Sequence, residues 1–296
     1  MSATALPSPT SDEVLGEPIQ GPRALTGDWR RFWHLSFNIA KTDWKLRFYG
    51  SALGVVWQLV RPLMLFGVLY VFFTKIGHVN STTGVGSQYY GAQLLGSIVL
   101  FTFWAESTAG SVRCVVDHEA LVRKIQFPRL VIPMSVVMFT MFNLALNLIV
   151  VLIFTLASGV RPMASWVELP LILLMLGVFA AGTSMLLSAA FIYFRDIQPI
   201  WDVVNQIVFY ASPVMISYAT VQLHLSRTLL HIYEMSPLAV VMQQFRHAMI
   251  THGTPSAPNA MGGWSHMVIP VGIVIITFVA GFYVFNRVAP KVAEIL

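Results

Sequence analysis

The side chains best suited to chemistry in this chain are thinly spread, and their spacing argues against most reactions. A phosphate-cradling loop needs two glycines five apart, followed by lysine and a hydroxyl residue. Gly86 and Gly91 meet the first requirement, but Ala92 and Gln93 stand where the lysine and hydroxyl belong. No ATP hydrolysis is therefore expected within the chain. The histidines, at positions 34, 78, 118, 224, 231, 247, 252 and 266, form no HExxH pattern. His224, His231, His247, His252 and His266 share one loop, yet none has a carboxylate or cysteine partner at metal-site spacing. Cys114 is the sole cysteine, which excludes an internal disulfide framework and a cysteine-built zinc site. No Ser/His/Asp grouping stands out, so no catalytic residue, metal or cofactor is expected. Glu106 is the exception to this plainness, an acid deep inside an apolar segment. Intramembrane acids are functional candidates by default. The alternative is a carboxyl held neutral, or hydrogen-bonded by Ser107 or Thr108.

The elements that must hold these residues are membrane spans. Of 296 residues, 56% are hydrophobic and only 10% charged, against about 25% charged in a soluble domain. Crossing about 30 Å of hydrocarbon takes about 20 mostly apolar residues in a helix. Leu130–Val160, Leu169–Phe194, Val203–Ser226 and the stretch before Arg287 meet this without a charge. Two further segments are less clean: one carries Arg61 and Lys75 at its ends, where long side chains snorkel to the headgroups, and the other carries Glu106 within. The expected fold is all-α, with six transmembrane helices near 59–77, 89–111, 132–157, 169–193, 201–220 and 266–286. Residues 1–25 hold four prolines and three acids without an apolar core, so they read as a disordered tail and not as a signal peptide. The first span is then expected to direct its own insertion.

An even number of spans puts both termini on one side. With that side cytoplasmic, 14 of the 18 lysines and arginines fall inside; only Lys75, Arg161, Arg227 and Arg246 fall outside. The positive-inside rule favours this threading. The net charge of +5 then serves anionic lipid headgroups, and no nucleic-acid partner is expected.

Two stretches are expected to lie beside the hydrocarbon. Within the region 26–58, Trp29, Trp33, Phe37, Ala40, Trp44 and Phe48 recur every three or four residues, which gathers them on one helical face. Arg30, Arg31, Lys41 and Lys45 occupy much of the remainder. Such a helix lies in the headgroup plane or packs on a partner. The inner loop 113–130 carries an amphipathic run, Asp117 to Ile125, stopped by Phe127-Pro128-Arg129. It is either an ordinary basic loop or a short helix that docks into a cytoplasmic partner. The outer loop 221–265 is too long for a simple connector. Ser236-Pro237 starts a helix there with Leu238, Val241, Met242, Phe245 and Met249 at helical spacing, expected to be re-entrant within the 59–296 permease region.

Four patches carry a family resemblance: Arg47-Phe-Tyr-Gly-Ser-Ala-Leu-Gly-Val-Val-Trp57 leading to Pro62; Leu121-Val-Arg-Lys-Ile-Gln-Phe-Pro-Arg129 leading to Pro133; Tyr193-Phe-Arg-Asp-Ile197; and Phe209-Tyr-Ala-Ser-Pro-Val214. In this order the chain resembles the permease subunits of type-two ABC exporters, nearest those for O-antigen, teichoic acid and other lipid-linked polysaccharides. The resemblance implies a homodimer in the bacterial inner membrane, bound to two copies of a separate ATPase that holds ATP and magnesium. It implies a coupling loop containing Asp117, His118, Glu119, Leu121, Arg123, Lys124, Phe127, Pro128 and Arg129. It also implies a central channel between the first and fifth spans, with Phe66, Tyr70, Phe73, Phe209 and Tyr210 as lining candidates. Rival expectations are an exporter of a drug or small lipid, and a membrane enzyme acting on lipid-linked sugars.

Overall fold

The computed structural model describes residues 29–49, 56–76, 89–124, 127–215, 226–250 and 253–291, with Gly54, Tyr218, Val221 and Gln222. The tail 1–25, Gly86, His78, His224 and His252 lie outside the described residues. The described residues are helical throughout, without a strand. In chain order, α1 is Trp29–Phe48, α2 is Val56–Val71 with a π turn Phe72–Ile76, and α3 is Tyr90–Val112. Short α4 (Cys114–Asp117) and α5 (Glu119–Lys124) lead to α6, Val131–Ala157. A 3-10 turn Ala164–Glu168 precedes α7, Leu169–Tyr193, and α8 is Ile197–Ala211. Next come α9 (Arg227–Glu234), α10 (Pro237–Phe245, ending in a π turn Arg246–Ile250), α11 (Ala257–Ala260) and α12 (Val268–Val288).

Val56–Lys75, Val131–Ala157, Ala164–Tyr193 and Trp264–Val288 are each long and apolar enough to cross a membrane, so the protein is multi-pass. The other two expected spans differ for separate reasons. The third helix, α3, has the length, 23 residues, but is diluted by glycine, serine, threonine and Glu106. It can be so because it stands at the centre, touched by α2, α6, α7, α8 and α10. Its buried hydroxyls return to its own backbone: Ser97 Oγ donates to Gln93 O at 2.8 Å, and Ser111 Oγ to Ser107 O at 2.7 Å. Ser107 and Thr140 of α6 share a 2.5 Å bond, and Ser184 of α7 donates to Ser107 O at 3.2 Å. Polar side chains in hydrocarbon must be satisfied within the protein, and these are.

The fifth expected span, 201–220, is corrected. Here α8 stops at Ala211, because Ser212 turns extended and Pro213 has no backbone donor. Its 15 residues reach about 22 Å, and the turn at Ser212–Met215 carries the chain on to the far end of the bundle, where Arg246 holds the carbonyls of Pro213 and Val214. The apolar run Val203–Ser226 is thus not one helix.

On α1 the buried face is Phe32, Ser36 and Ala40, one register away from the expected tryptophan stripe. Ser36 enters that face because its hydroxyl donates to Phe32 O at 3.0 Å. Phe37 meets Phe142 edge-on at 5.6 Å, and Trp44 Nε1 donates to Asn143 Oδ1 at 3.3 Å. The helix therefore seats against α6 and leaves Trp29, Trp33 and Phe37 exposed.

Close packing of α7 on α12 rests on two glycines, Gly182 and Gly281, that let the backbones touch. A Cβ on Gly182 would lie 2.7 Å from Phe278 Cα, whereas one on Gly272 would meet nothing within 4 Å. Small residues of this kind set helix approach in membranes. Gly182→Val is expected to cost about 1–3 kcal/mol, seen as a fall of several degrees in the thermal midpoint of detergent-solubilised protein. Gly272→Val is expected to leave that midpoint unchanged.

Candidate functional site

One end of the bundle gathers α4, α5 and the termini of α3, α6, α7 and α12. Val115 and Cys114 of α4 are buried, and burial pushes the Cys114 thiol above its ordinary range. Val116 and Val112 pack near Leu187, Phe191, Ile197 and Trp201, so α4 is keyed into α7 and the start of α8. His118 joins α4 to α5 and faces α1: its Nε2 lies 3.6 Å from Asp43 Oδ2, and its Nδ1 is 2.9 Å from Cys114 O. Asp43 raises the imidazole's pKa, with burial opposing. Asp117 pairs with Arg113 one turn back at 3.8 Å and is exposed. Leu121 is half-buried against the core and Glu119 is partly exposed. Phe127 and Pro128 are buried. Arg129, 3% exposed, points inward and donates to Ala289 O, clasping the base of α6 to the end of α12. Of this loop, then, Asp117 and Ala120 face outward, while Arg129 is spent inside. The side chains of Arg123 and Lys124 lie outside the described residues.

Asp43 was invisible to sequence reasoning, since a single acid on a basic helix carries no pattern. The spacing of His118 gave no hint of it either.

The five aromatics expected to line a passage divide sharply. Phe66 packs on Phe154 with ring centroids 5.3 Å apart, Phe73 on Tyr90 at 6.5 Å, and Phe209 on Phe101 at 5.0 Å. Tyr70 lies 5.4 Å from Phe66 and against Gly91. These four are half-buried and turned toward the protein's own core. Tyr210 is 66% exposed. The open faces of the same two helices are others. On α2 they are Met64, Val68, Val71 and Phe72. No residue of α8 is buried, and Asp202, Gln206 and Tyr210, four apart, share one exposed stripe. That spacing was readable in advance and marks a polar stripe beside the exposed apolar residues Ile200, Val203 and Ile207.

Glu106 sits beside this surface. Arg61 Nη1 approaches its Oε1 at 3.8 Å, with Arg61 largely exposed and the carboxylate mostly covered. Ser107 and Thr108 do not hold it. Ser107 shares its hydroxyl with Thr140, and Thr108 donates to Trp104 O at 2.9 Å. The acid instead tethers α2 to α3 through an arginine that sequence reasoning assigned to the headgroups.

At the opposite end, α10 is wedged between α3, α7 and α12, with Ser236 Oγ accepting from Ala239 N at 3.2 Å as an N-cap. Leu238, Val241, Met242, Phe245 and Met249 are all buried. Arg246, fully buried, donates from Nε and Nη2 to Ser97 Oγ at 3.1 and 2.9 Å, and to the carbonyls of Pro213 and Val214. It thereby pins α10 to α3 and to the turn that follows α8. An arginine amid apolar helical positions was the available signal. Glu234, 1% exposed, ends α9 near it, and neither carboxylate oxygen accepts a hydrogen bond. Burial lifts its pKa from 4.5 to about 7, with Arg246 opposing.

A carboxyl whose pKa is raised on folding binds its proton more tightly in the native state between pH 4.5 and about 7. Its stabilisation is complete below pH 4.5 and is lost as pH rises through about 7, a swing of about 3 kcal/mol. His118, also raised, acts with the same sign above pH 6.5. The thermal midpoint of purified wild-type protein is therefore expected to fall from pH 5 to pH 8. Glu234→Gln is expected to flatten that fall, leaving only the smaller histidine component. Parallel profiles for the two proteins would contradict a protonated Glu234.

Among the described residues no His/Cys/Asp/Glu cluster has metal-binding form. Residues 36–250, well over half of the chain, match the ABC-2 type transporter family. The chain is 27% identical over 259 residues to the O-antigen export system permease protein RfbA of Klebsiella pneumoniae, covering 87% of this chain and 93% of that one. It is 26% identical over 227 residues to the protein of the same name from Myxococcus xanthus, covering 77% and 84%. By the extent of the family match, which takes in most of α1, the α4–α5 loop, α9 and α10, this chain belongs to the ABC-2 type transporter family.

Proposed function

We propose that the chain is the permease subunit of an ATP-driven exporter that moves a lipid-linked, O-antigen-type polysaccharide across the bacterial inner membrane. Two copies enclose the route, and two copies of a separate ATPase bind the ATP and magnesium. Both termini and α4–α5 face the cytoplasm, and the outer helices α9–α11 dip back toward the membrane at the exit. The observation that carries this reading is the stripe Asp202, Gln206 and Tyr210 on the uncovered face of α8. An acid on a lipid-facing surface costs several kcal/mol at the bilayer centre. That face is better explained by a wet passage or by a second copy than by acyl chains. Like α8, α2 packs on α3 and leaves a face open.

A sugar–phosphate head cannot cross bare hydrocarbon at tolerable cost, so a protein-lined route is required. Amide and carboxylate groups hydrogen-bond sugar hydroxyls, while Tyr210 offers an aromatic face for C–H stacking. Closure of the ATPase pair moves α4 and α5. His118 passes that motion to α1 through Asp43, and the buried valines pass it to α7 and α8. The names of the relatives support the choice of polysaccharide over drug.

The test is transport in vesicles that hold the permease, the ATPase and a lipid-linked glycan. Transport is expected only with ATP and the ATPase. Tyr210→Ala is expected to slow it about tenfold, whereas Ile149→Ala on the outward face of α6 leaves it unchanged. Transport without the ATPase would sink the coupling, and equal rates for Tyr210→Ala and wild type would remove α8 from the route.

A further inference from the structure

A cavity of about 640 Å³ opens between α1, α6, α7 and α12, on a side of the bundle away from the α8 stripe. Trp29, Phe32 and Trp33 roof it, and its wall carries no polar residue. Along α6 it runs from Leu130 to Met141, about 16 Å at the helical rise. That matches the depth of one leaflet, about half of the 30 Å hydrocarbon. It begins where Arg129 marks the end of α6 and reaches Gly177 and Leu174 on α7. On the orientation proposed above, this is the cytoplasmic leaflet.

Among the described residues the charges at its mouth have one sign. Arg30 and Arg31 adjoin Trp29 on α1 and are exposed. There is no acid in α6, α7 or α12. The single acid of α1, Asp43, lies ten residues beyond Trp33 and faces His118. A second copy of this chain would bring the same cations to the same place and repel. An apolar slot of leaflet depth under a cationic rim suits an anionic amphiphile.

We propose that this cavity holds one acyl chain of an anionic phospholipid from the cytoplasmic leaflet, with its headgroup against Arg30 and Arg31. The bound lipid then fills the space that keeps α1 from closing onto α7. It forms part of the seat through which α1 senses α4. The site needs only the membrane orientation, and it stands or falls separately from the identity of the exported substrate.

The test uses full-length protein in vesicles with phosphatidylglycerol bearing a photoactivatable diazirine on its acyl chain. Adducts are expected to concentrate on Met134, Met138 and Met141 over the outward residues Ile149 and Ile153 of the same helix. A Cβ on Gly177 meets only the mobile methyl of Met141, at 3.3 Å, so Gly177→Phe can enter the cavity. It is expected to lower those adducts about tenfold. The double change Arg30→Ala and Arg31→Ala is expected to erase the preference for phosphatidylglycerol over a phosphatidylcholine probe. Adducts spread evenly along α6 in the wild type would overturn the proposal, whatever the variants do. Equal labelling by both probes in the wild type would overturn it too, as would a disulfide between copies through Met141→Cys.

Discussion

The bundle is organised by the need to satisfy a polar helix out of reach of water. Seventeen of the 23 residues of α3 are buried, among them serines and a threonine that hydrocarbon would not tolerate unpaired. Returning the hydroxyls to the previous turn removes most of that demand. The remainder is met by Thr140 and Ser184 from two flanking helices, and by Arg246, whose guanidinium reaches Ser97. Once α6, α7 and α10 are drawn to α3 in this way, α2 and α8 are left with one side each uncovered. The surface assigned to transport is thus a by-product of how the centre is satisfied.

Much of this was legible. Long apolar runs announced α6, α7 and α12, because length and composition alone decide membrane crossing. Ser236-Pro237 announced α10, because capping chemistry is local. What remained hidden depended on which neighbour a face meets. Large aromatics on a helix serve interior packing as well as a channel wall. Phe66, Phe73 and Phe209 took the first role and Tyr210 is open, with nothing in their spacing to separate them. On α1 the tryptophan stripe drew attention to one face, while the seat on α6 is made by another, where serine is small enough to fit and able to bond its own backbone. The end of α8 was readable from Pro213 and was masked by the apolar residues on both sides. Arg61 was read as a headgroup anchor because its partner, Glu106, lies 45 residues away.

The two ends of the molecule use charge differently. Near the α4–α5 loop the ion pairs are partly exposed: Asp117 with Arg113, Asp43 with His118. Exposed pairs contribute little to stability and can be exchanged for contacts to another protein at small cost. At the far end Arg246 and Glu234 are buried, where rearrangement requires a charge to be moved or neutralised. The loop end is free to be pushed, while the outer end resists until its buried groups are resolved.

The clasp of Arg129 on Ala289 has a bearing on biogenesis. These residues stand 160 positions apart, and Ala289 directly follows α12. A ribosome delivers residue 129 long before its acceptor exists, so α6 enters the bilayer with its basal contact still incomplete. The seat is finished only when α12 arrives beside the earlier helices. Membrane entry of α6 thus precedes completion of its basal contact.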